Sequence, residues 1–156
     1  MSASGRKIRL LAPMLKLTKT DYDTLRAHGE KTYPHECCGI LLGYAGEVNE
    51  VVAIVQAGNT RTDSAHNRYH IAPQELIAAQ RIGRKKGLDI VGFYHSHPDH
   101  PAQWSTTDFA EAHWYGCSYV ITAVAQGKAE VTNAFLLRGT GEENKRFENQ
   151  PIDIAG

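Results

Sequence analysis

The sequence predicts a domain of the α/β (α+β) class, with a mixed central β-sheet and about three flanking helices. Near-continuous apolar runs at Ile40–Leu42 and Ile90–Tyr94 are typical of buried strands. Segments that carry helix-capping signals alternate with these runs. A chain of 156 residues with 42% apolar residues is long enough to form one hydrophobic core. We therefore predict an N-terminal tail or edge strand at residues 1–16, one domain at 17–138 and a C-terminal tail at 139–156.

Two segments begin with the spacing of a helix capping box. Thr18 and Asp21 have this spacing and predict a helix over about Lys19–Thr32, which Pro34 follows. Ser105-x-x-Asp108 repeats the spacing and predicts a helix that runs to about Trp114.

A third helix is predicted between Pro73 and Gly87. Proline is favoured at the first helical position, and glycine is favoured just after the last one. The basic cluster at 84–86 fits the last turn of this helix, where the helix dipole favours cations. The residues expected on its apolar face are Leu76, Ala79 and Ile82.

The remaining apolar or alternating segments predict strands, with a turn at Ala45–Glu47 between the first two. These strands are Glu36–Tyr44, Val48–Gln56, Arg68–Ile71, Leu88–Tyr94, Cys117–Ala125 and Glu130–Arg138. The polar loop at 57–68 is long for a small domain, which makes it either functional or mobile. After Gly139 the sequence turns polar, and we expect no regular element there.

Charge and cysteine usage restrict the function classes. Lys+Arg and Asp+Glu are both 17, without a basic tract, which argues against a dedicated nucleic-acid or membrane-surface binder. No apolar run approaches the roughly 18 residues of a membrane span. The three cysteines include an adjacent pair but no CxxC pair, so neither a disulfide framework nor a structural zinc site is predicted. We expect a cytoplasmic protein.

A candidate metal site lies where the strand ending near Tyr94 gives way to a proline-rich turn. His95 and His97 alternate along the strand and therefore project to the same side. Asp108 follows on the next helix and supplies a third potential ligand. Two imidazoles and one carboxylate suit a zinc ion with an open water position, but also the facial triad of non-haem iron oxygenases. A zinc deaminase is disfavoured because the chain has no PCxxC sequence.

A hydrolase with such a site also needs a general base. Glu36 is the candidate, since it begins a buried strand where a free carboxylate would be costly. The alternative for Glu36 is a solvent-facing strand end, and the sequence alone does not place it near His95.

These residues together carry a family resemblance. Glu36, His95-Ser96-His97-Pro98 and Ser105-x-x-Asp108 resemble the complete JAMM motif (E…H-S-H-P…S-x-x-D) of the JAB/MPN zinc metalloproteases. The similarity extends from about Leu17 to Leu137 and is strongest to the small bacterial members. It implies a single MPN-type domain. Trp104 departs from these members, which commonly have proline before the motif serine.

The resemblance implies a role for each motif residue. One zinc ion per chain would be held by His95, His97 and Asp108, with a catalytic water in the fourth position. Glu36 would act as base and then acid, and Ser105 would hydrogen-bond the oxyanion. Ser96 would face away from the metal.

The resemblance also implies a substrate class. Family members cleave peptide or isopeptide bonds at the C-termini of ubiquitin-like proteins. The small bacterial members resemble enzymes that trim β-grasp sulfur carriers ending in Gly-Gly. One such reaction is the release of cysteine from a carrier–cysteine adduct. Deubiquitinase-like removal of a modifier from conjugates and a non-catalytic scaffold are the alternatives. The candidates for substrate contact are Asn59, Ser64 and Trp104.

Overall fold

The computed structural model describes residues 14–59 and 69–156, and these residues form one mixed eight-stranded sheet with three helices. The predicted mixed α/β fold is confirmed. The helices are α1 (Lys19–Thr32), α2 (Pro73–Lys86) and α3 (Thr106–Ala110). The strands are β1 (Met14–Thr18), β2 (Cys38–Tyr44), β3 (Val48–Ala57), β4 (Asp89–Pro98), β5 (Ser118–Ala125), β6 (Lys128–Arg138), β7 (Arg146–Gln150) and β8 (Ile152–Ala155).

Strand β4 lies near the middle of the sheet, whose order is β7-β6-β5-β4-β2-β3-β1-β8. It pairs with β2 in antiparallel fashion and with β5 in parallel fashion. Its register places His95 opposite Cys38 and Tyr94 opposite Gly39. Glycine is needed at position 39 because a β-carbon there would collide with the Tyr94 ring. Two strands distant in sequence are thereby locked together at the predicted site.

Helix α1 covers one face of the sheet. The Thr18 side chain caps it by accepting a hydrogen bond from the Asp21 N–H at 3.1 Å, as the sequence predicts. Leu25 is buried against this face, and Gly29 approaches so closely that a β-carbon there would lie 3.1 Å from Ser96. The side chains at alternate positions of β4, including those of His95 and His97, therefore project to the opposite face.

Helix α2 packs on that opposite face, against β2 and β4. It begins at Pro73 and is closed by Gly87 in the left-handed conformation (φ 71°), both as predicted. Its predicted apolar face is partly wrong, because Ile82 is 39% exposed. The buried positions are Ala79 and Gly83. Ile82 lies about 100° around the helix from Gly83 and so points away from the sheet.

Three further expectations differ from the structure. Helix α3 ends at Ala110 instead of near Trp114, since the Trp114 N–H donates to the Tyr119 hydroxyl outside any helix. The strand expected at 68–71 is a single bridge between Asn59 and Ile71 within the described residues. Of the tail or edge strand expected at residues 1–16, residues 1–13 lie outside the described part of the chain, and β1 is an inner strand because β8 pairs with it on its outer side.

The expectation that no regular element follows Gly139 is also wrong. Strand β7 pairs with β6 and forms one edge of the sheet, whereas β8 pairs with β1 and forms the other. Both strands are short and partly exposed, so each buries few side chains and leaves only a weak apolar pattern in the sequence. Among the described residues, no helix has the length and apolarity that a membrane crossing requires.

Candidate metal centre and catalytic cleft

The structure brings His95, His97 and Asp108 together at the end of β4. The two Nε2 atoms lie 3.2 Å apart. Asp108 Oδ1 is 3.3 Å from His95 Nε2, and Asp108 Oδ2 is 3.0 Å from His97 Nε2. Among the described residues, this is the one group of three or more His, Cys, Asp or Glu side chains arranged to hold a metal ion.

These distances fit tetrahedral coordination. Four ligands at the usual zinc distance of about 2.0–2.1 Å are separated from one another by about 3.3 Å. The two Nε2 atoms are 3.2 Å apart, and each lies within 3.3 Å of a different oxygen of Asp108, so the three side chains are close enough together to share one ion. The donor set leaves a fourth tetrahedral position without a protein ligand among the described residues.

Each imidazole is held in place by a neighbouring group. His97 Nδ1–H donates to the Pro101 carbonyl at 2.8 Å, which leaves the lone pair of Nε2 directed at the site. The His95 ring is stacked on Tyr69, with centroids 4.4 Å apart and planes inclined by 24°. Burial lowers the pKa of His95, so its imidazole is neutral and able to act as a ligand.

Asp108 is aimed by the helix that carries it. Its Oδ2 accepts a hydrogen bond from the Ser105 N–H at 2.9 Å, and the Ser105 Oγ accepts one from the Asp108 N–H at 3.0 Å. This is the predicted capping box. Burial opposes ionisation, but the neighbouring imidazoles and the Ser105 N–H outweigh it and hold the pKa of Asp108 well below its usual range. The carboxylate is therefore ionised.

Glu36 lies two residues before β2 and shares the cleft with His97. Its neighbour Cys37 donates its N–H to Ser96 Oγ at 2.8 Å and accepts from the Ser96 N–H at 3.3 Å, so the pairing of β2 with β4 continues past Cys38. Ser96 projects toward α1, away from the two histidines. Continuation of the register sets Glu36 opposite His97, with both side chains on the same face.

The Glu36 carboxyl has the character of a proton-transfer group. It is only 4% exposed, and its Oε1 has no hydrogen-bond partner among the described residues. Burial raises the pKa of Glu36 to about 8, with His97 opposing and Asp108 adding to the rise. A carboxyl that changes protonation state near neutral pH is suited to general acid–base chemistry.

A cleft of about 350 Å³ opens in front of these groups. Its lining residues are Glu36, His97, His100, Pro101, Gln103 and Ser105. Because Ser105 Oγ uses a lone pair in the capping box, its hydroxyl hydrogen is still available for donation to a group in the cleft. The predicted base, the predicted oxyanion donor and one predicted ligand thus face a common space.

Of the three predicted substrate-contact residues, the structure describes Asn59 and Trp104, and neither lines the cleft. Asn59 donates its amide to the Glu36 carbonyl at 3.2 Å and accepts from the His70 N–H at 3.0 Å, so it holds the backbone beside the base. Trp104 packs on Phe109 and Phe147, with centroids 5.4 and 5.5 Å away, and does not line the cleft. Ser64 lies outside the described residues. Their roles in substrate binding stay predictions.

A second groove, of about 410 Å³, adjoins the site through Tyr69. The Tyr69 ring that stacks on His95 forms part of its wall. The other apolar and aromatic residues of the wall are Ile71, Leu76, Phe93, Trp114 and Tyr119. Polar groups reach it from His70, Glu111 and His113. Its composition suits a partner segment with apolar side chains.

Sequence reasoning missed several residues at these sites. Tyr69 follows a polar loop, and no pattern in the sequence pairs it with His95. His100 and Gln103 lie inside the motif stretch but at positions without a required residue type. Lys145, which contacts α3, lies in the segment that we expected to be a tail. Only the alternation of Arg146-Phe147-Glu148 could have indicated that this segment joins the sheet.

Comparison with known proteins places the motif in a family context. Residues 18–137 match the family model described as prokaryotic homologs of the JAB domain. Desampylase of Haloferax volcanii is 34% identical over 88 residues, which is 56% of this chain and 62% of that protein. The probable TtuB-protein conjugate cleaving protease of Thermus thermophilus is 34% identical over 89 residues, 57% of each chain. These alignments span less than two thirds of either relative.

The fold is also found among solved structures. A protein of Desulfitobacterium hafniense whose solution structure is known superimposes with a TM-score of 0.74. The two are 28% identical, and the match covers 91% of this chain and 94% of the other. The similarity therefore extends over most of the chain.

Proposed function

Because the chain belongs to the family of prokaryotic homologs of the JAB domain, we propose that it is a zinc metallopeptidase that cleaves the bond at the C-terminus of a ubiquitin-like protein. The resemblance noted in the sequence is confirmed by the match over residues 18–137. The observation that carries the proposal is Glu36, a buried carboxyl with a pKa of about 8 that faces the same cleft as the candidate ligand His97.

In this proposal His95, His97 and Asp108 hold one zinc ion, consistent with their mutual distances. Zinc bound by two imidazoles and a carboxylate supplies Lewis acidity, which brings the pKa of a coordinated water close to 7. The stacked Tyr69 and the Pro101 carbonyl fix the imidazole orientations that such coordination needs.

Glu36 moves the protons of the reaction. Its carboxylate accepts a proton from the attacking water, and the resulting acid then donates this proton to the departing amine. The buried position raises the proton affinity of the Glu36 carboxylate, which favours the first step, and the second step returns Glu36 to its ionised form, ready for the next water. Asn59 supports the geometry by holding the Glu36 carbonyl.

Ser105 stabilises the charge that develops on the scissile carbonyl oxygen. Its Oγ is fixed by the Asp108 N–H, and its hydroxyl hydrogen can be directed into the cleft. An oriented donor of this kind is worth about 10²–10³ in rate where it has been removed from other enzymes. Ser105 thus combines helix capping with oxyanion stabilisation.

The substrate is a ubiquitin-like or sulfur-carrier protein that ends in Gly-Gly. The groove beside Tyr69 would hold the apolar side chains that precede the two glycines, and the extended Gly-Gly tail would run from this groove to the metal site. The name of the Thermus relative describes cleavage of a protein conjugate. We extend conjugate cleavage to this chain as part of the proposal.

The lining of the cleft favours a protein conjugate over a carrier–cysteine adduct. A free amino acid released from a carrier has its own carboxylate, for which a lysine or arginine would be the expected partner. Neither residue type occurs among the described residues that line the cleft. The lysine side chain of an isopeptide bond needs no such partner.

The proposal is tested with two substrates that contain the same Gly-Gly-terminated β-grasp protein, one joined to a lysine side chain of a target and one joined to cysteine. We expect the zinc-loaded protein to cleave directly after the second glycine and to prefer the isopeptide, as measured by mass spectrometry of the products. Glu36→Gln is the matched control and should bind zinc without cleaving. Absence of cleavage of both substrates by protein that contains stoichiometric zinc would favour a scaffold and overturn the proposal.

A further inference from the structure

Lys145 is a buried cation to which the proposed reaction assigns no role. It lies between β6 and β7, and its side chain is only 2% exposed. Its Nζ donates to the carbonyl oxygens of Phe109 at 2.8 Å, Ala112 at 3.2 Å and Ala110 at 3.5 Å. A lysine is almost never buried to this extent unless its ammonium group is satisfied, and here three carbonyl oxygens and one carboxylate oxygen surround its three donors.

The acceptors lie at the C-terminal end of α3 and just beyond it. The last carbonyl groups of a helix lack partners within the helix, and the helix dipole makes this end negative. The Lys145 ammonium supplies donors and a favourable charge at this end, where the Phe109 carbonyl also accepts from the Ala112 N–H at 3.2 Å. Glu142 adds an ion pair with Lys145 at 3.1 Å, but its own side chain is 65% exposed, so the carbonyl contacts dominate.

Helix α3 depends on such support because it has only five residues. Helices of this length are not stable in isolation, since the cost of nucleation is not recovered. At its N-terminal end, part of the capping box is made by Asp108 itself. One carboxyl group therefore serves as cap and as candidate metal ligand, and the Ser105 hydroxyl supplies the other half of the capping box at this end.

Strand β7, which follows Lys145 in the chain, also packs against α3. The Lys145 ammonium lies 4.7 Å from the centroid of the Phe109 ring. Phe147 packs edge-on against Phe109 at 5.6 Å and also against Trp104 at 5.5 Å. The residues before and within α3 are thus braced by the segment 145–147, with Lys145 as its polar contact.

We propose that Lys145 is a positioning residue that fixes α3 so that Asp108 reaches His95 and His97. This inference rests on the metal site of the proposed function. Lys145 touches neither substrate nor metal, and it acts through the backbone of Phe109, Ala110 and Ala112. Outer partners that orient metal ligands typically change metal affinity by 10–100-fold when removed. We expect an effect near tenfold, because Lys145 acts through a helix and not on the carboxylate.

The test compares Lys145→Met with two controls in the full chain. Lys145→Met keeps an unbranched apolar stem but removes the ammonium. Lys85→Met removes an exposed lysine of α2, and Leu25→Ala destabilises the buried face of α1 on the other side of the sheet. Zinc affinity is measured by competition with a chromophoric chelator, and the visible spectrum is recorded after cobalt replaces zinc. Unfolding by urea is followed without metal.

We expect Lys145→Met to weaken zinc binding about tenfold and to alter the cobalt spectrum, which reports coordination geometry. Leu25→Ala should lower the unfolding free energy but leave both metal readouts at parental values. If Lys145→Met does not fold, Lys145→Arg takes its place, with the same changes expected at smaller size. A Lys145 variant that folds and has parental zinc affinity and cobalt spectrum overturns the inference. A parent protein that binds no zinc instead overturns the metal site on which it rests.

Discussion

Replacing Glu36 by glutamine separates the effect of its buried carboxyl on stability from its use in chemistry. The pKa of this carboxyl rises from 4.5 to about 8 on burial in the metal-free protein. Because the folded-state value is the higher one, the carboxyl favours folding fully below pH 4.5, and this contribution is lost as the pH rises toward 8. Glutamine has the same shape and does not titrate.

The size of the effect follows from the two pKa values. Between pH 4.5 and pH 7 the Glu36 carboxyl ionises in the unfolded chain but stays largely protonated in the folded chain, which stabilises the unfolded chain. At 1.36 kcal/mol per pH unit, the unfolding free energy of the parent falls by about 3 kcal/mol over this interval. Relative to the parent, the unfolding free energy of Glu36→Gln should therefore increase by about 3 kcal/mol between pH 4.5 and pH 7.

Urea unfolding in the presence of a chelator, at a series of pH values from 4.5 to 8, measures this difference. Other titrating groups are common to parent and variant, so the difference reports the Glu36 carboxyl together with its electrostatic coupling to His97 and Asp108. Glu50→Gln, an exposed change on β3, is the control and should show no such trend. The same Glu36→Gln protein should lose about 10²–10⁴ in kcat, or about 3–5 kcal/mol of barrier lowering. A stability difference that does not change with pH would refute the buried, raised-pKa assignment.

Three further changes test other parts of the account. Asp108→Ala should lower zinc affinity by at least 10–100-fold in chelator competition, and full occupancy would remove Asp108 from the ligand set. Gly39→Ala should destabilise the protein by about 1–3 kcal/mol in urea unfolding, because its β-carbon meets the Tyr94 ring. Gly46→Ala should change little, because a β-carbon there makes only an ordinary contact, 3.7 Å from the Val48 carbonyl oxygen. Trp114→Ala should raise KM for a ubiquitin-like substrate with little effect on kcat, and an unchanged KM would exclude the aromatic groove from substrate binding.

Local patterns in the sequence predict the ligand side of the site well. The spacing of His95 and His97 fixes a shared face, and the capping signal at Ser105 fixes the direction of Asp108. Both are properties of short segments, and the structure reproduces them. The placement of Glu36 is different in kind, since it depends on the register of β2 against β4. The resemblance to a family motif supplied this placement, which periodicity cannot give.

The end of the chain was the least predictable part, for a physical reason. Strands β7 and β8 lie at the two edges of the sheet and bury few side chains, so their apolar signal is weak. Lys145 appears in the sequence as an ordinary surface residue, because its burial depends on carbonyl groups more than thirty residues earlier. Trp104 likewise stands beside the motif, yet its ring packs on Phe147 and away from the cleft.

Cleavage of a Gly-Gly-terminated β-grasp conjugate before and after removal of metal tests the central claim most directly. The account predicts that a chelator abolishes cleavage at the C-terminus of the β-grasp protein and that one equivalent of zinc per chain restores it. Restoration by iron but not by zinc, or cleavage that continues in metal-free protein, would contradict the assignment of His95, His97 and Asp108 as the ligands of a catalytic zinc.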